Sequence, residues 1–574
     1  MKDSIGIGHP SSKSWWLVLA AVSTGLLAFF VTTPAYILDP TNLEWIFHQP
    51  SIAFHAMDFH SHYLGWYYLR HAPVSFPLGS IPNFVSPLGT YMAYTDSIPL
   101  LAFLFRTISQ WLPEDFQYLG PWVLICFVLQ AVFALRVLRR WIQDPFCLVI
   151  AVAFVAFSPI LIFRWNHIGL MSHWLLLWCI DLNCEYFAAK RSEDKAKIPV
   201  WRPVLALSLA TMIQPYLAAM VGGLCWVLPL SRFLGDRVTQ PDRIVLHLWR
   251  VLGMTVCLLV PMFVLLYVFG FSSGASTAEG FHWFSTDLLA LFNNTSTSSF
   301  VPSFRSKAGL YEGYAWLGLG GWVFLIAMLR PRVRANIRNL AKNPHFKGVM
   351  IVCGLMWFYA FGERIYIGTF WIVDLEWFWM PLRAITSTLR VAGRMIWPGY
   401  YVLLMLSMVA AANFYDKKKA RSIFAAAMLF QMVDLGPWIL GRSLRYPIYG
   451  RQKLTSPFWE DEASHFAHIK MIPPYQEGGL CKSQGANYQY EWPELAKFSA
   501  LHNLTINSGY LARYDRFKSN LYCGAHTYEF LVGPLARDTL YVVRRGFETE
   551  VPMEASDRSC RDIDGYMVCV AKDS

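Results

Sequence analysis

Charged residues are scarce in this sequence of 574 residues, at 15%, whereas soluble globular proteins carry roughly 25%. Disorder is excluded, because a disordered chain combines low hydrophobicity with high charge and here hydrophobic residues make up 55%. Eleven cysteines are too few at this length for a small disulfide-rich scaffold. The sequence also lacks P-loop, GxGxxG, HExxH, GxSxG and CxxC patterns, so nothing suggests NTP-driven transport or a redox cofactor. What remains is a polytopic, α-helical membrane protein.

Long apolar runs predict eleven membrane helices, and the first is long enough to be a retained span rather than a cleaved signal peptide. The run around Gln214-Pro215-Tyr216 is either two helices or one broken helix. A shorter run, Ser97–Leu112, predicts a helix that lies along the membrane surface. The predicted spans are 15–38, 119–138, 147–164, 172–189, 203–214, 216–231, 246–270, 315–329, 347–362, 395–413 and 421–437.

The basic excess is confined to the membrane part of the chain. From residue 442 onward there are 16 Lys+Arg and 16 Asp+Glu, so the part before it has 33 basic and 22 acidic residues, the whole net charge of +11. The basic loops fall on one side with the N-terminus, which indicates positive-inside topology rather than nucleic-acid binding. The segments 39–118 and 438–574 are therefore predicted to be extracytoplasmic, in a multi-pass membrane protein.

Two domains are predicted, a transmembrane domain at 1–437 with its first outer loop at 39–118, and an extracytoplasmic α/β domain at 438–574. Strands are expected at Ile469–Ile472, Leu504–Ile506, Thr539–Val543 and Tyr566–Val570, and helices at Glu460–Ile469 and Trp492–Leu501. Four cysteines in an exported domain suggest two disulfides, and four cysteines allow three pairings. Cys560 and Cys569 flank Asp564-Gly565 and suit a hairpin, which leaves Cys481 with Cys523.

The first outer loop has several polar residues near one carboxylate: His60, His62 and Tyr63 follow Asp58 within five residues. A carboxylate at a membrane surface either removes a proton from a sugar hydroxyl or holds a divalent cation. The alternative for the aromatic residues is an interfacial belt. Asp96, just before the surface helix, is either a second functional acid or an N-cap.

Arginines on the predicted outer side oppose the positive-inside bias. Arg383, Arg390 and Arg394 form a cluster whose planar forks suit phosphate oxygens, and Arg164 ends the third span. Pairing with Asp374, Glu376 or lipid headgroups is the alternative for the cluster, and snorkelling is the alternative for Arg164. If their segment is helical, Arg390 and Arg394 share one face. Further polar positions at span ends are Gln214, Tyr216 and Glu312.

The order of these features resembles the GT-C superfamily of membrane glycosyltransferases. The features are a large first outer loop with Asp58, a surface helix with Ser97-Ile98-Pro99-Leu100, and two spans around the basic Arg139-Arg140. The motifs His55–Arg70, Tyr94–Ser97, Gln214–Tyr216, Tyr311–Tyr314 and Leu389–Pro398 are similar to a bacterial group near these enzymes, related to the pilin arabinosyltransferases. The resemblance implies a polyprenyl-phosphate-linked sugar donor and chemistry on the extracytoplasmic face of the bacterial inner membrane. Many GT-C enzymes have paired acids in the first loop, whereas Asp58-Phe59-His60 has one, which leaves a need for Mg²⁺ or Mn²⁺ open.

The leading interpretation is an inverting glycosyltransferase with Asp58 as general base and Asp96 as helper. The arginines would bind the donor phosphate, and the other polar positions would contact the sugar or the acceptor, a glycan, glycolipid or protein. The alternative is a lipid or glycolipid transporter, for which inverted repeats and acidic residues at mid-membrane would be expected. The sequence shows no repeat. A plain membrane anchor for the tail domain would need far fewer helices.

Overall fold

The computed structural model describes residues 15–47, 56–191, 199–239, 241–271, 280–443, 454–475, 492–513, 515–544, 547 and 557–572, and most of them are helical. In chain order the α-helices are α1 (Trp15–Thr32), α2 (Glu44–Phe47), α3 (Ala56–His71), α4 (Pro99–Thr107), α5 (Leu119–Leu138), α6 (Pro145–Ala156), α7 (Pro159–Ile162), α8 (Trp174–Arg191), α9 (Trp201–Ile213), α10 (Pro215–Thr239), α11 (Ile244–Val268), α12 (Gly318–Met328), α13 (Pro331–Leu340), α14 (Pro344–Ala360), α15 (Glu376–Trp379), α16 (Arg383–Thr388), α17 (Trp397–Asn413), α18 (Lys417–Ser443), α19 (Phe458–Asp461), α20 (Trp492–Leu501) and α21 (Arg516–Val532). The β-strands are β1 (Ser80–Ile81), β2 (Thr90–Tyr91), β3 (Arg364–Ile367), β4 (Phe370–Asp374), β5 (His468–Ile472), β6 (Thr505–Ile506), β7 (Thr539–Val543), β8 (Arg558–Ile563) and β9 (Tyr566–Ala571).

Seven helical stretches within the described residues are long and apolar enough to cross a membrane, which indicates a membrane protein. The other four predicted spans correspond to α8, α9, α12 and α14. Of these, α8 is polar, with Asp181 and Glu185 in its middle, and the others have 13, 11 and 17 residues. The seven stretches are Trp15–Thr32, Leu119–Leu138, Pro145–Ile162, Pro215–Gly235, Ile244–Val268, Ala392–Asn413 and Lys417–Gly441.

Local sequence signals explain several helix boundaries. Asp144 is the N-cap of α6, where its carboxylate accepts a hydrogen bond from the Cys147 N–H, and Pro145 follows at the first helical position. Gln214 has extended backbone angles between α9 and α10, so the run around it forms two helices. The predicted surface helix is α4 followed by a short 3-10 turn, Ser109–Trp111.

The chain divides into two compact units. The first, called here the helix unit, comprises 1–36, 120–263 and 277–445. In it α10 packs against α8, α9 and α14, while α18 packs against α1, α6, α12 and α17. Gly320 allows close contact between α12 and α18, because an added Cβ would lie 2.2 Å from the Ala427 carbonyl oxygen.

The second, called here the loop–tail unit, comprises 37–119, 264–276 and 446–574. It joins the first outer loop to the tail, whereas the predicted division at 437/438 separates the two along the sequence. Several contacts hold them together: α3 packs against α20, the Tyr68 and Ser499 hydroxyls are hydrogen-bonded, and the Lys497 ammonium pairs with Asp115. The unit's sheet has the order β6-β5-β7-β9-β8, parallel across its first three strands and antiparallel beyond.

The tail confirms the predicted α/β character and the hairpin. Strands β8 and β9 pair so that Cys560 faces Cys569, and the two form a disulfide. The turn residues Asp564 and Gly565 both have left-handed backbone angles, as a tight hairpin turn requires. Cys481 lies outside the described residues, so its pairing with Cys523 stays a prediction.

Two parts of the predicted tail were wrong or missing. The helix expected at Glu460–Ile469 is only the short α19 and a 3-10 turn, because β5 already begins at His468. The sequence interpretation also missed the 17-residue α21. Helix α21 begins at Asp515, whose side chain accepts a hydrogen bond from the Lys518 N–H, and this N-cap is the signal that could have found it.

Candidate functional site

The first candidate region lies in the loop–tail unit, at the start of α3. Asp58 lies in the first turn of this helix, where the positive end of the helix dipole favours a carboxylate. Its side chain is partly exposed. One turn later, His62 is buried and its Nδ1 lies 3.2 Å from the Thr95 carbonyl oxygen.

Asp96 follows Thr95 in a strained turn. Asp96 and Ile98 both have left-handed backbone angles, with φ of 54° and 52°, which is a costly conformation for a β-branched residue such as Ile98. The N-cap alternative for Asp96 is wrong. Ile98 holds the N-cap position of α4, and no side chain there makes a capping hydrogen bond.

Close packing against α3 holds this turn in place. At Gly65, an added Cβ would lie 1.9 Å from Thr95 Oγ1 and 2.3 Å from Ser97 Oγ, so only glycine fits. The two hydroxyls are hydrogen-bonded to each other at 2.8 Å, and Ser97 also donates to the Ser61 carbonyl oxygen at 3.3 Å.

The turn that carries Asp96 therefore contacts α3, the helix that carries Asp58. Asp58 and His62 are four residues apart on α3 and share a face, and the Thr95 carbonyl that His62 meets belongs to the residue before Asp96. We call Asp58, His62 and the Thr95–Ser97 turn the carboxylate corner. Sequence reasoning had no signal for Gly65, whose small size sets the distance between helix and turn.

His60 and Tyr63, the other predicted contacts on α3, are buried. The His60 ring packs against Phe47 and Trp492, with ring centroids 5.4 and 6.1 Å away. Tyr63 stacks on Tyr67 at 5.4 Å, and burial raises the pKa of the Tyr63 hydroxyl. This packing favours a role in shaping the corner over direct contact with a ligand.

Within the described residues, no group of three or more His, Cys, Asp or Glu side chains could hold a metal ion. The requirement for Mg²⁺ or Mn²⁺ stays a prediction.

The second candidate region lies in the helix unit, where three predicted site residues meet. Glu312 lies between two arginines: its Oε2 is 2.6 Å from Arg164 Nη1 and 3.0 Å from Arg394 Nε. Arg164 also donates to the Tyr311 and Glu312 carbonyl oxygens at 3.0 Å each. All three charged side chains are buried, and we call them the arginine triad.

Two glycines make this meeting possible. An added Cβ at Gly393 would lie 2.6 Å from the Gly313 backbone nitrogen, so the turn that carries Arg394 touches the turn that carries Glu312. The sequence places a glycine next to each charged partner, although this was not recognised as a signal.

Electrostatics keep Glu312 ionised. Burial raises the pKa of its carboxyl, but the positive charges of Arg394 and Arg164 outweigh burial and hold the pKa well below its usual range. His167 adds a weaker contact, with Nε2 at 3.9 Å from Oε1. A carboxylate that binds two guanidinium groups is a structural ion cluster as well as a candidate site.

The break between α9 and α10 belongs to the same region. The Arg394 guanidinium lies over the Tyr216 ring at 4.7 Å, and the Tyr216 hydroxyl accepts a hydrogen bond from the Val391 N–H at 3.0 Å. Gln214 Oε1 accepts from the Tyr216 N–H at 2.7 Å, which fixes the break. Gln214, Tyr216 and Glu312 thus support the segment 391–394.

The three arginines of the predicted cluster have different surroundings in the structure. Arg383 is exposed and lies 3.6 Å from Glu376, the pairing that the sequence left as an alternative. Arg390 is partly exposed, with its guanidinium 5.9 Å from the Phe284 ring. The expected shared helix face for Arg390 and Arg394 is wrong, because α16 ends at Thr388 and a separate 3-10 helix begins at Ala392.

Comparison with known proteins assigns the chain to a family. A family model described as "Domain of unknown function (DUF6311)" matches residues 21–436, well over half of the chain, so the chain belongs to this family. A second model, the DUF6311 C-terminal domain, matches residues 458–571, which begin at α19 and end with β9. No curated protein matches the chain.

Proposed function

We propose that this protein is a membrane glycosyltransferase of the GT-C type. It would transfer a sugar from a polyprenyl phosphate to an acceptor hydroxyl on the extracytoplasmic face of the bacterial inner membrane. The observation that carries the proposal is the carboxylate corner. Asp96 lies on a tightly packed, strained turn, and the Thr95 carbonyl oxygen of that turn meets His62, one turn after Asp58 on α3; strain of this kind clusters at active sites. The seven apolar helices support a lipid-linked substrate.

Asp58 is the general base in this scheme. Its carboxylate takes the proton of the acceptor hydroxyl while the acceptor oxygen forms a bond to the sugar C1. The bond between C1 and the phosphate oxygen breaks from the opposite side, which inverts the anomeric configuration and releases polyprenyl phosphate. Asp96 orients the acceptor hydroxyl or the sugar.

The leaving phosphate gains charge as this bond breaks, so cations that face it contribute most to catalysis. Arg390 is the best candidate, because it is partly exposed and lies four residues before the buried Arg394. In this scheme the arginine triad positions the segment that carries Arg390. The acceptor, a glycan, glycolipid or protein, would bind beside the tail, since α20 of the tail packs on α3.

The topology that goes with this function has eleven spans and an extracytoplasmic loop–tail unit. It keeps the basic loops in the cytoplasm, as the positive-inside rule requires. The Cys560–Cys569 disulfide agrees with an oxidising compartment for the tail. A reporter fused to the C-terminus, active only in the cytoplasm, should stay inactive.

The direct test is transfer by the purified protein. The protein in lipid nanodiscs is incubated with a panel of polyprenyl-phosphate sugars and acceptor glycans, with and without chelator, and released polyprenyl phosphate is measured. Asp58→Asn should lower turnover by about 10²–10⁴-fold while donor binding is kept. The matched control is Asp39→Asn, an exposed acid of the same loop that binds the Thr41 N–H and hydroxyl. Release that is equal in both variants would contradict the role of Asp58.

Donor binding tests the arginine assignment separately. Loss of a charged hydrogen bond costs about 1.5–3 kcal/mol, so Arg390→Ala should weaken donor binding by roughly tenfold or more. Arg383→Ala is the control, because its exposed side chain already pairs with Glu376. Equal donor affinity in the two variants would remove Arg390 from the donor site.

A lipid transporter is the second candidate, and one observation favours it. An apolar cavity of about 150 Å³ lies between α5, α8, α10, α14 and α17, and its wall includes Val137, Ile180, Leu224, Val349 and Met405. Such a cavity suits a hydrocarbon chain. Movement of a labelled lipid from one leaflet of the vesicle membrane to the other, without release of polyprenyl phosphate, would favour this candidate over the transferase.

A further inference from the structure

Helix α21 lies on the far face of the tail sheet. Strands β6 and β7 lie on opposite sides of β5. The β5–α20–β6 crossover therefore runs in one direction along the sheet, and the β6–α21–β7 crossover runs in the other. Because both connections are right-handed, α20 and α21 lie on opposite faces of the sheet. Contacts agree with this: α20 packs against α3, whereas Phe530 of α21 packs with Tyr541 on the other face of the sheet.

The outer side of α21 is apolar and exposed. Phe517 is 79% exposed, Leu521 60%, Tyr528 67% and Val532 64%. Their spacing of four, seven and four residues places them on one helix face. The helix therefore has apolar side chains on both sides, one set against the sheet and one set exposed, and we call the exposed set the α21 stripe.

The α21 stripe is symmetric along the helix. The pairs Phe517/Val532 and Leu521/Tyr528 have the same midpoint, between Gly524 and Ala525. An added Cβ at Gly524 would meet nothing within 4 Å, so the centre of the stripe is open and small. A helix that packs antiparallel on an identical helix places Phe517 on Val532 of the other copy and Leu521 on Tyr528, with the small residues at the crossing.

We propose that the α21 stripe binds the α21 stripe of a second copy of this chain in a two-fold symmetric, antiparallel helix pair. The self-complementary spacing is what a two-fold interface requires. The four side chains offer roughly 500 Å² per copy, or about 1,000 Å² for the pair, which reaches the lower size of a specific interface. Confinement of both copies to one membrane favours the pairing further.

A lipid surface is the other apolar occupant that a membrane protein offers, and the layers of the loop–tail unit disfavour it. Contacts run from α4 to α3, from α3 to α20, from α20 to the sheet and from the sheet to α21. Because α4 is the helix that the sequence places along the membrane surface, three layers separate that surface from the α21 stripe. The pairing does not depend on the proposed transferase activity.

Charge complementation tests the pairing and its register. The full chain is labelled with donor or acceptor fluorophores and reconstituted in phosphatidylcholine vesicles, and energy transfer is measured over a range of protein-to-lipid ratios. Leu521→Glu and Tyr528→Lys should each raise the dissociation constant at least tenfold. The double variant should restore association, because each Glu then faces a Lys of the other copy. Leu501→Glu, an equivalent change at an exposed apolar residue of α20, is the control and should behave as the parent.

Cross-linking provides a measurement that does not depend on the charged variants. Gly524→Cys should give a covalent dimer with a short bis-maleimide, and Leu501→Cys should not. A monomeric parent, or single variants that associate as the parent does, would overturn the proposal. A double variant that stays monomeric while Gly524→Cys fails to cross-link would also reject the antiparallel register.

Discussion

Replacement of Glu312 by glutamine tests how the arginine triad is held together. The amide keeps the size of the side chain but removes the negative charge that balances Arg164 and Arg394. In the parent, Glu312 Oε2 lies 2.6 Å from Arg164 Nη1 and 3.0 Å from Arg394 Nε. Breaking a buried ion pair costs about 3–5 kcal/mol, because a buried charge is left without compensation. The same loss is expected in the free energy of unfolding, measured by chemical denaturation of the purified protein in detergent.

A matched control exists within the same unit. Glu376 also pairs with an arginine, but its side chain is 47% exposed, that of Arg383 is 65% exposed, and they lie 3.6 Å apart. Exposed pairs contribute about 0–1 kcal/mol, so Glu376→Gln should leave stability nearly unchanged. Similar losses in the two variants would refute the argument that burial makes the triad costly to break.

The pH dependence supplies a second check. The pKa of Glu312 in the folded protein lies below its unfolded value of about 4.3. The stabilisation is therefore fully present above that value and is lost as the pH falls through the lower folded pKa. The stability difference between the parent and Glu312→Gln should be constant from pH 8 to 5 and should narrow only below about pH 4. A difference that already shrinks near pH 6 would contradict the charge pairing.

Two further predictions concern the loop–tail unit. Gly65→Ala should destabilise the protein by about 1–3 kcal/mol and lower any transfer activity, because the added methyl group displaces Thr95 and Ser97. Gly253→Ala is the control, because an added Cβ there meets nothing within 4 Å, and it should not destabilise the protein. Thermal unfolding of both variants measures the difference. Asp564→Ala should lower the free energy of unfolding by about 1.5–3 kcal/mol at pH 7. The Asp564 carboxylate accepts hydrogen bonds from the backbone N–H groups of Thr455 and Ser456 and from the Trp459 indole N–H. Burial raises the pKa of the Asp564 carboxyl, but these hydrogen bonds outweigh burial and lower the pKa overall. The loss of unfolding free energy in Asp564→Ala should therefore diminish as the pH falls below about 4. A loss that is the same at every pH would contradict this argument.

Local features of this protein follow from the sequence alone. Apolar runs gave seven membrane-length helices at the predicted places, since a span depends on length and hydropathy within one segment. A helix at α4 and the β8–β9 hairpin were predicted for the same reason, as turn residues and short-range periodicity are local properties. The position of α4 along the membrane surface stays a prediction. Helix α21 was missed because its two apolar sides give no clear amphipathic pattern.

Only the tertiary structure decided which polar residues meet. Glu312 lies 148 residues from Arg164 and 82 from Arg394 along the chain, and no local pattern encodes that pairing. The same holds for Tyr68 and Ser499, which are 431 residues apart and join the first outer loop to the tail. The physical reason is that such pairs depend on how closely backbones approach. Gly313 and Gly393 set the approach of the two turns in the arginine triad, and Gly65 sets the approach of the Thr95–Ser97 turn to α3; their effect appears only when the helices and turns are packed.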